Sequence, residues 1–435
     1  MSQRSWRLVF LISISVLLVG RLWYYVGSFT SQLPYMDQWD VYRGYFDHYN
    51  WWQLFRIQHG SHRQGLGALL TAFLFDQSQM NLLWETRAMV LILALNSLLA
   101  LNLSRLFFKG LSWWDFIIPV MILNLSQYEV FAGAPNPAHG VIPQFLILLI
   151  LNTFFIRSHF WKTISFGALI FCVMHTGYGY FAVFSALIML LMSLIKPKFS
   201  FSALRKTDLV FLMVIILIMI VYYIPYSKPM DEAESQNVGF SYVWKLPFFA
   251  AGIVSRGLGA SRVNFILVPC LGILVYMALV FIKKWKAPWQ TPKDRALLYL
   301  MLTCFLFLAG ASWGRAPGGM GYSITSRYVP YVTLFLLAFY WVLRGAGGRP
   351  KLQIRALWIF TLFFSFQEFR PRGRDQKVAT EYFENKKLFL ECYKERKDFN
   401  YCNDNVYSIY PSKISSHIPG RLKLMEEKGW ALFSH

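Results

Sequence analysis

The chain has 435 residues, a formal net charge of +21, 56% hydrophobic residues and only 15% charged residues. A soluble globular chain carries roughly 25% charged residues, so this composition excludes an ordinary soluble fold and makes lipid the solvent for most of the chain. The excess Lys and Arg fall in short connections between apolar runs, with no basic face of interleaved stacking aromatics, which excludes nucleic acid as the partner and points to topology and anionic headgroups.

A hydrocarbon core of about 30 Å takes about 20 apolar residues of helix. Eleven runs approach that length, at about 8–27, 88–107, 114–131, 141–156, 163–175, 179–195, 209–226, 263–282, 296–312, 328–343 and 356–367. The expected fold class is therefore an all-α polytopic membrane protein, with about 11 transmembrane helices over 1–369 and a small extramembrane unit over 370–435. The first run follows a charged start and ends in aromatics without a small-residue cleavage site, so it reads as a retained span. After it comes a long polar-aromatic loop, 28–87, whose one apolar stretch, Leu66–Phe75, is too short to span and reads as an interfacial helix. The run from 163 to 195 is broken at His175-Thr-Gly-Tyr-Gly-Tyr180, a hairpin that glycine permits. In the tail, 393–399 and 422–428 read as amphipathic helices.

Alternate connections carry the positive charge: Arg4 and Arg7, Arg105 and Lys109, Arg157 and Lys162, Lys196 to Lys206, Lys283 to Arg295, and Arg344 to Arg355. The connections 132–140 and 176–178 carry none, so the N-terminus is expected in the cytoplasm and the 28–87 loop outside. Arg370, Arg372 and Arg374 argue for an inside tail, whereas alternation and a Cys392/Cys402 pair argue for an outside one, the side favoured. Cys172, Cys270 and Cys304 sit in apolar runs as small hydrophobes, and no Cys/His metal spacing occurs.

Polar residues able to do chemistry collect in the outside loops. Leu33-Pro-Tyr-Met-Asp37-Gln-Trp-Asp40 sets two carboxylates three apart, beside Trp39. On a helix they share a face, where a carboxylate can act as general base or bind a cation. The same pair also reads as a solvated first helical turn, favoured by the dipole. His59-Gly-Ser-His62-Arg63 places two imidazoles and a guanidinium ahead of the interfacial stretch. That set suits a phosphate, which Arg grips bidentately, but also interfacial anchoring or, lacking a third ligand at useful spacing, a weak metal site. Farther on, Gly314-Arg315 opens a Gly-rich loop that ends in Ser326-Arg327-Tyr328, with Arg327 at the outer edge of a span. An uncompensated Arg at that depth calls for an anion, a lipid phosphate being the obvious one, or snorkels to headgroups. Glu129, Asn136, His139 and His175 lie in the second and third outside loops, and Asp231–Glu234 is an acidic run in the fourth.

The order of these features resembles the GT-C superfamily of polytopic glycosyltransferases, above all bacterial O-antigen-modifying enzymes of the Gtr type. The likeness lies in layout: acids early in a long first outside loop, His62-Arg63 before an interfacial helix, a late Ser326-Arg327-Tyr328, and a Cys-bearing tail with Tyr410-Pro411. It implies a bacterial inner-membrane enzyme that takes a sugar from a polyprenyl-phosphate donor at the periplasmic face and passes it to a cell-envelope glycan or lipid acceptor. Asp37 or Asp40 would be the base, although Gln38 and Trp39 separate acids that are often adjacent in the family. His59, His62, Arg63 and Arg327 would hold the donor phosphate, and Trp39, Asn136, His139, Arg315 and Tyr328 are candidate substrate contacts. Inversion in one displacement is expected, and assistance by a divalent metal is left open. A transporter or flippase would place polar groups at the bilayer midplane, where this chain has almost none. A polymerase or ligase would concentrate its key charges in a large late loop.

Overall fold

The computed structural model describes residues 3–60, 62–133, 136–195, 206–223, 240–260, 266–286, 291–345, 350–369, 373–411 and 416–433. The acidic run at 231–234 and the basic positions Lys196, Lys198, Arg205, Arg349, Arg370 and Arg372 lie outside the described residues.

The chain is a mostly helical membrane protein. Among the described residues, five helices are long and apolar enough to cross a bilayer: Ser5–Phe29, Leu82–Phe108, Leu267–Lys286, Pro292–Gly318 and Ser326–Gly345. Shorter apolar helices, Val141–Thr153, His159–Met174, Tyr180–Met192 and Ile354–Phe363, accompany them. Local chemistry sets the ends. Asn81 accepts the Leu83 N–H at 3.0 Å, and Gln32 at the foot of the first helix accepts the Leu82 N–H at 2.9 Å. The first two long helices are thereby tied at one level, and two orphan donors of a helix start are satisfied. The expected hairpin at 175–180 is present. A Cβ on Gly179 would lie 1.8 Å from the Val173 carbonyl oxygen, so only glycine makes this turn.

Two features depart from the expected layout. The run at 114–131 is not one continuous helix but a string of short pieces, Trp113–Phe116, Ile117–Ile122, Leu125–Gln127 and Glu129–Gly133. Pro119 withholds a donor, Asn124 captures the Ser126 N–H at 2.6 Å, and Gln127 donates to the Ile122 carbonyl at 2.9 Å. Such backbone is tolerated at membrane depth only when protein surrounds it, and Ile117, Ile118, Met121 and Leu123 are fully buried. The second departure is a buried helix, Leu246–Gly257, inside a stretch that reads as a connection.

Arg256, near the end of that helix, is buried and makes a forked pair with Asp375, at 3.3 and 3.2 Å. It also donates to the Ser126 carbonyl at 2.7 Å and to the Ala260 carbonyl at 3.0 Å. One guanidinium thus joins the buried helix, the broken segment and the first tail helix, Gly373–Arg396. At the far end of the Val329–Gly345 helix, Arg344 donates to Asp115 and Ser104, each at 2.6 Å, and to the Gly110 carbonyl at 3.0 Å.

The tail and the first loop share one hydrophobic core. Leu33, Trp39, Tyr42, Phe46 and Phe75 pack with Phe389, Tyr393, Ile409, Leu422 and Met425. The Met36 N–H donates to the Ile409 carbonyl at 2.8 Å, and a disulfide joins Cys392 to Cys402. The two segments therefore lie on the same side of the helical bundle. Replacing one partner of the Arg256–Asp375 pair strands a buried charge, at a cost of about 3–5 kcal/mol. Arg256→Met should lower the thermal unfolding midpoint in detergent sharply, and adding Asp375→Leu should recover part of the loss. A single variant that unfolds like the wild type would show that the pair holds nothing together.

Candidate functional site

Where the first loop, the broken segment and the tail converge, they enclose a cavity of about 310 Å³. Asp37 and Gln38 line it from the first loop, Glu129, Gly133, Asn136 and His139 from the stretch around 129–139, Arg327 from the start of its helix, and Tyr382 from the tail.

Asp37 stands at the start of a single helical turn, Gln38–Val41. The turn is held from below by a buried relay. The Tyr35 N–H donates to Gln38 Oε1 at 2.9 Å, Gln38 Nε2 donates to the Tyr42 hydroxyl at 2.6 Å, and that hydroxyl donates to Glu85. Thr71 donates to the other oxygen of Glu85, which is fully buried in the first turn of Leu82–Phe108, where the helix dipole favours an acid. A membrane helix thus fixes the backbone that presents Asp37.

The two acids have different surroundings. The Asp37 side chain is 54% exposed and faces the cavity, with His59 Nε2 at 3.6 Å. His59, followed by the Arg327 charge, holds its carboxyl down at about 2 against the burial that opposes this. Asp40 does not line the cavity, and the Tyr410 hydroxyl stands 2.9 and 3.0 Å from its two oxygens. His59 Nδ1 and His417 Nε2 each stand 3.9 Å from it. A hairpin, Gln58–His59 against His62–Arg63, sets His59 between the two carboxylates. The acids meet opposite edges of that ring, so they cannot converge with it on one ion. Among the described residues no three His, Cys, Asp or Glu side chains are arranged to hold a metal, and no step is derived through one.

No family model, curated protein or solved structure matches the chain.

Of the four expected phosphate contacts, Arg327 alone lines the cavity. Its backbone N–H donates to Glu129 Oε2 at 3.3 Å, and the Glu129 N–H donates to Ser326 Oγ at 2.9 Å. Its guanidinium is exposed and makes no ion pair within 4 Å among the described residues. His59 serves the acids instead. His62 turns into a ring cluster with Tyr178, at 4.4 Å between centroids, and His139, and burial pushes its imidazole down to about 4. Arg63 is buried and donates to the Arg56 carbonyl. Among the expected substrate contacts, Asn136 and His139 line the cavity. Burial keeps His139 far below the usual histidine range, hence neutral, and its buried Nε2 has no hydrogen-bond partner among the described residues. Trp39 is buried against Phe46, Tyr328 is buried against Phe307, and Arg315 is exposed at the end of Pro292–Arg315.

Sequence reasoning passes over Tyr35, Gln38 and Tyr382 as cavity residues. The first two flank Asp37 and could have been found by their place; nothing local marks Tyr382. Lys386, one turn further along the same helix, is buried and donates to the carbonyls of Ala132 at 3.3 Å and Gly133 at 2.8 Å. Burial pushes its ammonium down to about 7. It fastens the tail to the turn that forms one wall of the cavity.

Glu85→Ala should leave the Tyr42 and Thr71 hydroxyls without an acceptor, at a cost of about 1–3 kcal/mol per buried group. Thermal unfolding should register the loss, amide exchange over residues 35–42 should quicken, and Glu85→Gln should do less harm. Unchanged exchange in the alanine variant would separate Glu85 from the Asp37 turn.

Proposed function

We propose that the chain is a GT-C-type membrane glycosyltransferase. It moves a sugar from a polyprenyl-phosphate donor to a cell-envelope glycan or lipid acceptor, with inversion. One observation carries the reading: an ionised carboxylate, Asp37, and a guanidinium, Arg327, with no ion pair within 4 Å among the described residues, line the same cavity. That pairing of charges suits a reaction in which a hydroxyl loses a proton while a phosphate leaves. Arg327 would meet the charge that grows on the departing lipid phosphate, with neutral His139 beside it as a hydrogen-bonding group. Asp37 would orient the acceptor hydroxyl and take its proton. A carboxylate held at about 2 is a weak base, so proton removal would come late, after the glycosidic bond has stretched, with His59 placed to receive the proton onward. Asp40, occupied by Tyr410, is the supporting acid.

The disulfide in the tail supports an oxidising compartment for the cavity. Together with the positive charge of the alternate connections, it favours a bacterial inner-membrane enzyme of about 11 spans, with its N-terminus in the cytoplasm and its site in the periplasm.

The test is transfer from polyprenyl-phosphate sugars by the purified protein. Asp37→Asn should lower turnover about 10²–10⁴-fold with donor binding kept. Asp40→Asn, which still offers Tyr410 an oxygen, should lose far less. Arg327→Ala should weaken donor binding and lower turnover about 10²–10³-fold. A wild-type protein that neither binds nor uses such donors would overturn the reading and leave transport of lipid-linked sugars as the next to try.

The acid limb of the pH profile adds a separate check. A carboxyl whose folded pKa lies below its ordinary 3.8 contributes its stabilisation above that value and loses it only as pH falls through about 2. Asp37 therefore stays charged throughout the working range, and the pH–rate profile should show no loss of rate through the ordinary carboxylate value of 3.8. A rate that falls with its midpoint there, unchanged in His59→Gln, would show that His59 does not hold Asp37 down.

A further inference from the structure

The aromatic wall of the cavity comes from outside the membrane helices. Tyr382, on the tail helix, and Tyr35, beside Asp37, line it with ring centroids 5.6 Å apart. Tyr35 is itself braced. Tyr407 stacks parallel to it at 5.7 Å, and the Lys386 ammonium lies 5.1 Å from its centroid. Tyr382 is half-buried, and its neighbour across the wall is a residue with no side chain. A Cβ built on Gly133 would meet Tyr382 Cε2 at 3.6 Å. The glycine thus leaves space at the ring edge that an alanine could occupy without a clash.

The rest of the lining carries two carboxylates, Asp37 and Glu129, beside Arg327, neutral His139 and the amides of Gln38 and Asn136. Carboxylates accept hydrogen bonds from hydroxyls and repel other carboxylates. An aromatic face carries negative charge density and attracts weakly positive C–H bonds. A ring with one apolar C–H face and a rim of hydroxyls, and with no charge of its own, matches both walls.

We infer that Tyr382 is the platform on which a neutral pyranose lies, with its hydroxyls turned to Asp37 and Glu129, so that the tail determines which sugar the cavity takes. The inference rests on the glycosyltransferase reading and narrows its substrate to uncharged hexose-type sugars, excluding uronic acids.

Binding is tested apart from transfer, by saturation-transfer NMR on the full-length protein in detergent. The probes are methyl glycosides of neutral hexoses and of a uronic acid. A neutral glycoside should bind the wild type and Tyr382→Phe, and should bind Tyr382→Ala about two- to tenfold more weakly. Gly133→Ala should also weaken binding while its thermal unfolding stays unchanged, which guards against loss of folding as the cause. In transfer assays the alanine variant at Tyr382 should raise KM with kcat nearly kept. Equal binding by Tyr382→Ala and wild type, equal binding of the uronide, or no glycoside binding at all would each overturn the platform. Transfer by the wild type with KM unmoved in Tyr382→Ala would overturn it while leaving the glycosyltransferase reading intact. Absence of both transfer and lipid-linked donor binding would remove that reading instead.

Discussion

The guanidinium of Arg256 is where the membrane part and the extramembrane part of this protein are joined. It reaches the Ser126 carbonyl and both oxygens of Asp375 from a helix that is itself buried. A charge so placed is tolerable only with every partner present. The requirement therefore acts on three distant stretches at once: the Leu246–Gly257 helix must end there, the 113–133 segment must break there, and the tail helix must begin there. Once Asp375 is seated, the following turns of the same helix bring Tyr382 to the cavity and Lys386 to the carbonyls of Ala132 and Gly133. The cavity follows from the clamp.

Much of the membrane part was legible in the sequence because lipid imposes a length and a polarity that few other environments do. The helices at 3–29, 82–108 and 329–345 and the hairpin at Gly179 follow from that rule. The broken segment was misread because hydropathy reports burial, and a buried irregular backbone is as apolar as a helix. The Leu246–Gly257 helix was missed because Pro247 and Arg256 within 12 residues read as a connection. In the site, Asp37, Arg327, Asn136 and His139 could be singled out because polar groups at the ends of apolar runs need a reason to be there. Which way a side chain turns could not be read. Arg63 and His62 have the right chemistry at the right depth, yet they turn into protein. Tyr382 contributes from more than 340 positions beyond Asp37 in the chain, where no periodicity or spacing connects the two.

Two carboxylates three residues apart, so alike in sequence, sit in different surroundings. The difference comes from the tail. The Tyr410 hydroxyl stands within 3.0 Å of both oxygens of Asp40, and among the described residues no comparable donor reaches Asp37 beyond His59 at 3.6 Å. The Tyr410 hydroxyl and the flanking His59 and His417 rings crowd Asp40, whereas the Asp37 side chain is the more exposed of the two. One tyrosine thereby sets the two acids apart, and does so from a part of the chain that looked like an appendage.

The helix that carries Arg327 at one end carries Arg344 at the other, locked to Asp115, Ser104 and Gly110. The two arginines lie seventeen positions apart, about 26 Å at 1.5 Å per residue, close to the thickness of the hydrocarbon layer. Because the Arg344 end is pinned to its neighbours, this rod cannot slide or tilt alone when the surrounding lipid thickens or thins. The height of the Arg327 cation is set by the protein rather than by the membrane. The protein carries its own ruler, and lipids of unequal chain length must adjust to it at their own elastic cost.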